Sequence, residues 1–155
     1  MFNYDCFSST KVIEVLLVED NIGDVRLTQE ALKEGRLLVN LTVARDGIEA
    51  MDILLQKNSY ARAIRPDLVL LNLNLPRKDG REVLREIKAD PALKTIPVVI
   101  LTTSEAEADI RVTYGAHANC YITKPVDMDR FFEIVKMLEE YWFTIVKLPL
   151  HESAL

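Results

Sequence analysis

A chain of 155 residues is the length of one ordinary domain and long enough to bury a single core. With 49% hydrophobic and 28% charged residues it is not a disordered chain, and a net charge of −5 without any Lys/Arg run argues against nucleic acid or an anionic membrane as partner. Cys6 and Cys120 stand far apart, make no zinc pattern with His117 and His151, and read as free thiols of a reducing compartment.

The start, MFNYDCFSSTKVIEVLLVED, carries Asp5 and only a short apolar run from Val15 to Val18. It fits neither a signal peptide nor a membrane span, and a cytoplasmic protein is expected. Residues 1–11 read as an arm, 12–146 as the domain and 147–155 as a tail. Within the domain the chain alternates. VIEVLLV at 12–18 is the first expected strand, and Asn21 caps a helix marked by Val25, Leu27, Ala31 and Leu32. LTVA at 41–44 comes next, then a helix marked by Ile48, Met51, Ile53, Leu54 and Leu55, then a long exposed connection, QKNSYARAIRPD, at 56–67. DLVLLNL at 67–73 is the third strand; Val83, Leu84 and Ile87 mark a third helix that Pro91 ends. PVVILT at 97–102 precedes a weaker helix of Ile110, Val112 and Tyr114, with Ser104 and Glu107 as its capping box. CYIT at 120–123 is the last strand, and Asp127 caps a final helix through Val146. Nearly unbroken Val, Ile and Leu in strands that alternate with helices imply a parallel sheet covered on both faces. Five such units suit a doubly wound α/β fold and are too few for an eight-fold barrel.

An open parallel sheet binds ligands beyond the carboxyl ends of its strands. The first strand ends in Glu19-Asp20, the third in Asn72 and Asn74, the fourth in Thr102-Thr103 and the fifth in Thr123-Lys124-Pro125. Singly, each has an ordinary explanation: acids before a helix N-terminus, a strand threonine, a solvated lysine. Together, at one sheet edge, they fit phosphoryl chemistry. Paired acids with a nearby carbonyl suit Mg²⁺, and a lysine with a hydroxyl holds phosphoryl oxygens. The carboxylate nucleophile such a site needs is missing.

At these residues the sequence resembles the receiver domains of two-component response regulators. LLVEDN supplies the acidic pair, LVLLNLNLPRKDG the acceptor block, PVVILTTS the switch threonine, and NCYITKP the aromatic and the lysine. Glu19, the long connection at 56–67 and the tail YWFTIVKLP are most similar to stand-alone regulators serving cyanobacterial phytochrome histidine kinases. The resemblance implies a CheY-like, flavodoxin-like strand order 2-1-3-4-5. It implies Mg²⁺ on Glu19, Asp20 and the carbonyl of Asn74, Thr102 and Lys124 on the phosphoryl group, Tyr121 as the reorienting aromatic, and a cis Lys124-Pro125 bond. A histidine kinase of phytochrome type is the implied partner, and output passes by protein contact.

Asn72 stands where the family has its phosphorylated aspartate. Its amide nitrogen lone pair is delocalised and cannot attack a phosphohistidine, so shape is kept and reactivity lost. One charge fewer, worth about 4 kcal/mol at roughly 4 Å and an effective dielectric near 20, weakens Mg²⁺. Rival readings fare worse. A phosphate-independent interaction module remains close to the first reading. A small aspartyl-phosphate hydrolase needs an Asp nucleophile after its first strand, and VEDN is not its pattern. A flavin or nucleotide binder needs a phosphate loop where EDNIGD is acidic, and neither His117 nor His151 suits a phosphotransfer histidine.

The final helix is apolar on more than one face. Phe131, Val135, Leu138, Trp142 and Ile145 form one stripe, and Phe132, Ile134, Met137, Tyr141, Phe143 and Val146 cover much of the rest. A homodimer through this helix is expected, with folding back of KLPLHESAL as the alternative.

Overall fold

The apolar runs pair side by side as five parallel strands, β1 (Ile13–Val18), β2 (Val39–Ala44), β3 (Leu68–Leu71), β4 (Val98–Thr102) and β5 (Cys120–Thr123). Their order is β2-β1-β3-β4-β5, the expected doubly wound arrangement. Among the described residues three helices stand complete between them: α1 (Ile22–Lys33), α2 (Gly47–Leu54) and α3 (Gly80–Ala89). The computed structural model describes residues 12–34, 38–102, 110–111, 114–118, 120–123, 129, 133 and 136. The expected arm and tail, the Ser104–Glu107 capping box, the Asp127 cap, the Lys124-Pro125 bond and most of the last helix lie outside the described residues. Ile110, Arg111, Tyr114 and Gly115 are helical, as the weaker fourth pattern predicted.

The strands alternate their side chains between two layers. Leu16, Val18, Val69, Leu71, Val98 and Ile100 pack with Ala50, Met51, Ile53 and Leu54 of α2 and Val83, Leu84 and Ile87 of α3. Val15, Leu17, Leu68, Leu70 and Val99 pack with Val25 of α1 on the opposite face. Central strands buried on both sides need apolar residues at every position, which is why β1 and β3 read as continuous runs. At the sheet edge, β2 instead alternates half-buried Val39, Leu41 and Val43 with exposed Asn40 and Thr42. Its start at Val39 is two residues earlier than its apolar core suggested, and β3 is shorter than expected, ending at Leu71. The last strand coincides with CYIT.

Asn21 caps α1, its side chain accepting from the Asp24 N–H at 3.0 Å. Two Asp-Gly pairs open the other helices. Asp46 accepts from Glu49 N at 2.8 Å, and Asp79 from Arg81 N at 2.8 Å. The connection at 56–67 is largely exposed, as expected. It is still anchored: Tyr60 donates to Glu49 at 2.6 Å, Arg65 donates to Thr95 Oγ1 at 3.0 Å and to the Ala92 carbonyl, and Tyr60 and Ala63 lie against the core.

The glycines after the capping aspartates grip the loop that follows β3. A Cβ on Gly80 would stand 2.2 Å from the Asn72 carbonyl oxygen, and one on Gly47 would stand 2.1 Å from that of Lys78. Both contacts are with backbone, which cannot step aside cheaply. Gly80→Ala should therefore lower stability by about 1–3 kcal/mol in urea unfolding, the usual cost of overpacking. Helix propensity alone argues the opposite sign, by up to about 1 kcal/mol. Gly115→Ala, also helical and with nothing within 4 Å of its new methyl, is the control, expected to be unchanged or up to about 1 kcal/mol more stable. An unchanged or raised stability for Gly80→Ala would contradict the close approach.

Candidate functional site

The chain reverses direction across the sheet between β1 and β3, because β1 has β2 on one side and β3 on the other. Such a reversal leaves a crevice outside the two strand ends. Pairing Val18 with Leu71 sets those ends level, so Glu19-Asp20 and Asn72 leave the sheet side by side. The backbone ladder runs one step further, with Asn72 N donating to the Val18 carbonyl at 3.0 Å and Glu19 N to that of Ala44 at 2.9 Å.

Beyond the ends lies an open cleft of about 620 Å³, lined by Glu19, Asp20, Asn21, Ile22, Gly23, Asp24, Asn72 and Asn74. Its acids differ in setting. Asp20 is exposed, whereas Glu19 is only 2% exposed. A buried carboxylate is costly unless N–H or O–H groups replace its water. Glu19 Oε2 accepts from the Asn21 backbone N–H at 3.1 Å and from the Asn72 side-chain amide, Nδ2, also at 3.1 Å. The same amide nitrogen lies 3.5 Å from the Asn74 carbonyl oxygen. Asn72 itself is half-buried, with Leu73 fully buried behind it.

Four of the sequence-predicted residues, Glu19, Asp20, Asn72 and Asn74, thus share one cleft. Thr102 closes β4 at the same edge, paired in register with Thr123 of β5. Tyr121 is the second residue of β5, half-buried against the larger core cluster, and its backbone N–H donates to Tyr114 Oη at 3.1 Å. Lys124 follows Thr123 in sequence and lies outside the described residues.

Sequence reasoning missed the frame around the loop after β3. Arg77, in the left-handed region at φ 66°, pairs with Asp46 Oδ2 at 3.2 Å. Lys78 pairs with Glu86, and Gly80 N donates to the Leu73 carbonyl at 2.9 Å. The signal was the repeated Asp-Gly in ARDGIEA and RKDGREV, since both pairs cap a helix and admit the loop's backbone.

Chemically the cleft offers oxygen atoms: the carboxylates of Glu19, Asp20 and Asp24 and the main-chain carbonyl of Asn74, with the Asn72 amide between Glu19 and that carbonyl. Among the described residues no three His, Cys, Asp or Glu side chains converge on one point. A few oxygen ligands completed by water is the manner of Mg²⁺ rather than of zinc. Among the described residues no helix is long and apolar enough to cross a membrane.

Comparison with known proteins agrees with this geometry. The family model for the response regulator receiver domain matches residues 15–136. Response regulator Rcp1 of Synechocystis sp. is 50% identical over 135 residues, 87% of this chain and 92% of that protein. The crystal structure of the phosphorylated cyanobacterial phytochrome response regulator RcpA superposes with a TM-score of 0.88 at 53% identity, covering 90% of this chain and all of the other. The Mn²⁺-bound form of Rcp1 superposes with a TM-score of 0.86 at 48% identity, covering 89% and 99%. With the fold, the switch-point cleft and these relatives in agreement, the chain belongs to the response regulator receiver family, among receivers related to the phytochrome response regulators.

Proposed function

We propose that this chain is a phytochrome-type receiver whose phosphoacceptor position is occupied by Asn72, and that it signals by protein contact without taking a phosphoryl group. The observation that carries the reading is the Asn72 amide lying against Glu19 at the switch point, 3.1 Å away. A nucleophile is required at that place, and an amide nitrogen is not one. Glu19, Asp20 and the Asn74 carbonyl form the Mg²⁺ set, and the bound ion would neutralise charge on phosphoryl oxygens. Thr102 and Lys124 are the phosphoryl contacts and Tyr121 the switch aromatic. The protein is no enzyme, works in the cytoplasm, and meets a histidine kinase of phytochrome type. A small hydrolase is disfavoured because it needs the same missing carboxylate.

The proposed test is phosphoryl transfer from a phosphorylated histidine kinase or a small phosphodonor. This chain should take no stable phosphoryl group, and Asn72→Asp should take one, because the sequence supplies the remaining groups, Asp20, Thr102 and Lys124. A hydroxylamine-sensitive phosphoryl group on the chain as it stands would overturn the reading.

The proposed second partner is another copy of the chain, through the last helix. Asp129, Glu133 and Lys136 are helical, exposed and spaced four and three apart, so they mark a polar stripe. In the sequence Phe131, Phe132, Ile134 and Val135 fall between them, which supports an apolar surface wider than one stripe. Sedimentation equilibrium at micromolar concentration should give a dimer without any phosphodonor. A strict monomer, soluble also after truncation at Lys147, would contradict both the dimer and a folded-back tail.

A further inference from the structure

A residue that has lost its reactivity still has an amide, and that amide is not idle. Its nitrogen carries two N–H donors and no acceptor. It faces Glu19 Oε2 at 3.1 Å, an ordinary hydrogen bond, and the Asn74 carbonyl oxygen at 3.5 Å, a weaker contact at the long limit. One of these oxygens comes from the end of β1 and the other from the loop after β3, and both belong to the cation set proposed above. Glu19 Oε2 also accepts from Asn21 N at 3.1 Å, so two N–H donors already share this one oxygen.

We infer that the Asn72 amide is an internal occupant of the cation position, competing with Mg²⁺ for Glu19 Oε2 and the Asn74 carbonyl oxygen. The inference rests on the receiver reading of the cleft and adds a cause to it. Residue 72 weakens metal binding through the donor it supplies as well as through the charge it lacks. An aspartate there would turn an oxygen toward Glu19 and require a cation between the two; the amide joins them without one.

The two causes differ in sign for one substitution. If missing charge were everything, Asn72→Ala would leave Mg²⁺ affinity unchanged, or lower it by removing the amide oxygen. If the amide competes, Asn72→Ala frees two oxygens and the affinity rises. Loss of one ordinary hydrogen bond corresponds to a gain of about five-fold.

The experiment is a Mg²⁺ titration of the full chain and of Asn72→Ala by calorimetry, with no phosphodonor present. In parallel, the side-chain ¹⁵N amide of Asn72 is followed by NMR in the unaltered chain. The expected result is tighter Mg²⁺ binding by Asn72→Ala, with the Asn72 amide resonance shifting along the same isotherm as the backbone amides of Asp20 and Asn74. Equal or weaker binding by Asn72→Ala, or no binding by either, overturns the competition. Should Asn72→Ala not fold, the resonance decides: an Asn72 amide that stays still while Asp20 responds also overturns it. Phosphoryl transfer to Asn72→Asp together with no gain in Asn72→Ala would refute the competition and leave the receiver reading standing.

Discussion

The site depends on one register. Because β1 and β3 pair in parallel with Val18 opposite Leu71, the next residue of each strand must emerge at the same level and on the same edge. Those residues are Glu19 and Asn72. A one-residue slip would exchange the faces of every β3 side chain, turning Val69 and Leu71 away from α2 and α3. The hydrophobic core therefore sets the distance between the carboxylate and the amide, and burial of Leu16, Val18, Val69 and Leu71 is what keeps the cleft in shape.

The loop after β3 adds a second constraint. It is held from one side by Gly80 and from the other by Gly47, each with room for a hydrogen and not for a methyl. Asp79 and Asp46 cap the helices that carry these glycines, and Arg77 reaches back to Asp46. Helix ends, loop backbone and the amide of residue 72 are thus mechanically connected.

Much of this was legible in the chain. The apolar runs of β1, β3 and β4 announced a sheet buried on both faces, and the polar pairs that follow them announced the edge where a ligand sits. The edge strand was harder. Half of β2 faces solvent, so Asn40 broke the apolar signal and hid its first turn of the ladder. The ends of β3 were over-extended because Leu73 is fully buried yet belongs to the loop, and burial alone does not distinguish the two. The Asp46–Arg77 pair was invisible, since it joins positions 31 apart through a left-handed residue that is not glycine. The direction of the Asn72 amide was equally hidden. It follows from which oxygens the fold brings near, and the spacing of letters says nothing of that.

On the proposed reading, Asn72 preserves the form of a phosphorylation site and withholds its chemistry. Structurally related receivers are known in phosphorylated and Mn²⁺-bound forms, RcpA and Rcp1 respectively. A ligand shifts a conformational equilibrium only as far as it binds one state better than the other. Without an acceptor oxygen, a phosphoryl mimic has no such preference to exert. The most direct measurement is an NMR titration with beryllofluoride and Mg²⁺, following the backbone amides of Thr102 and Tyr121. On that reading they hardly move in this chain and respond fully in Asn72→Asp. A full response in the chain with Asn72 in place would contradict it.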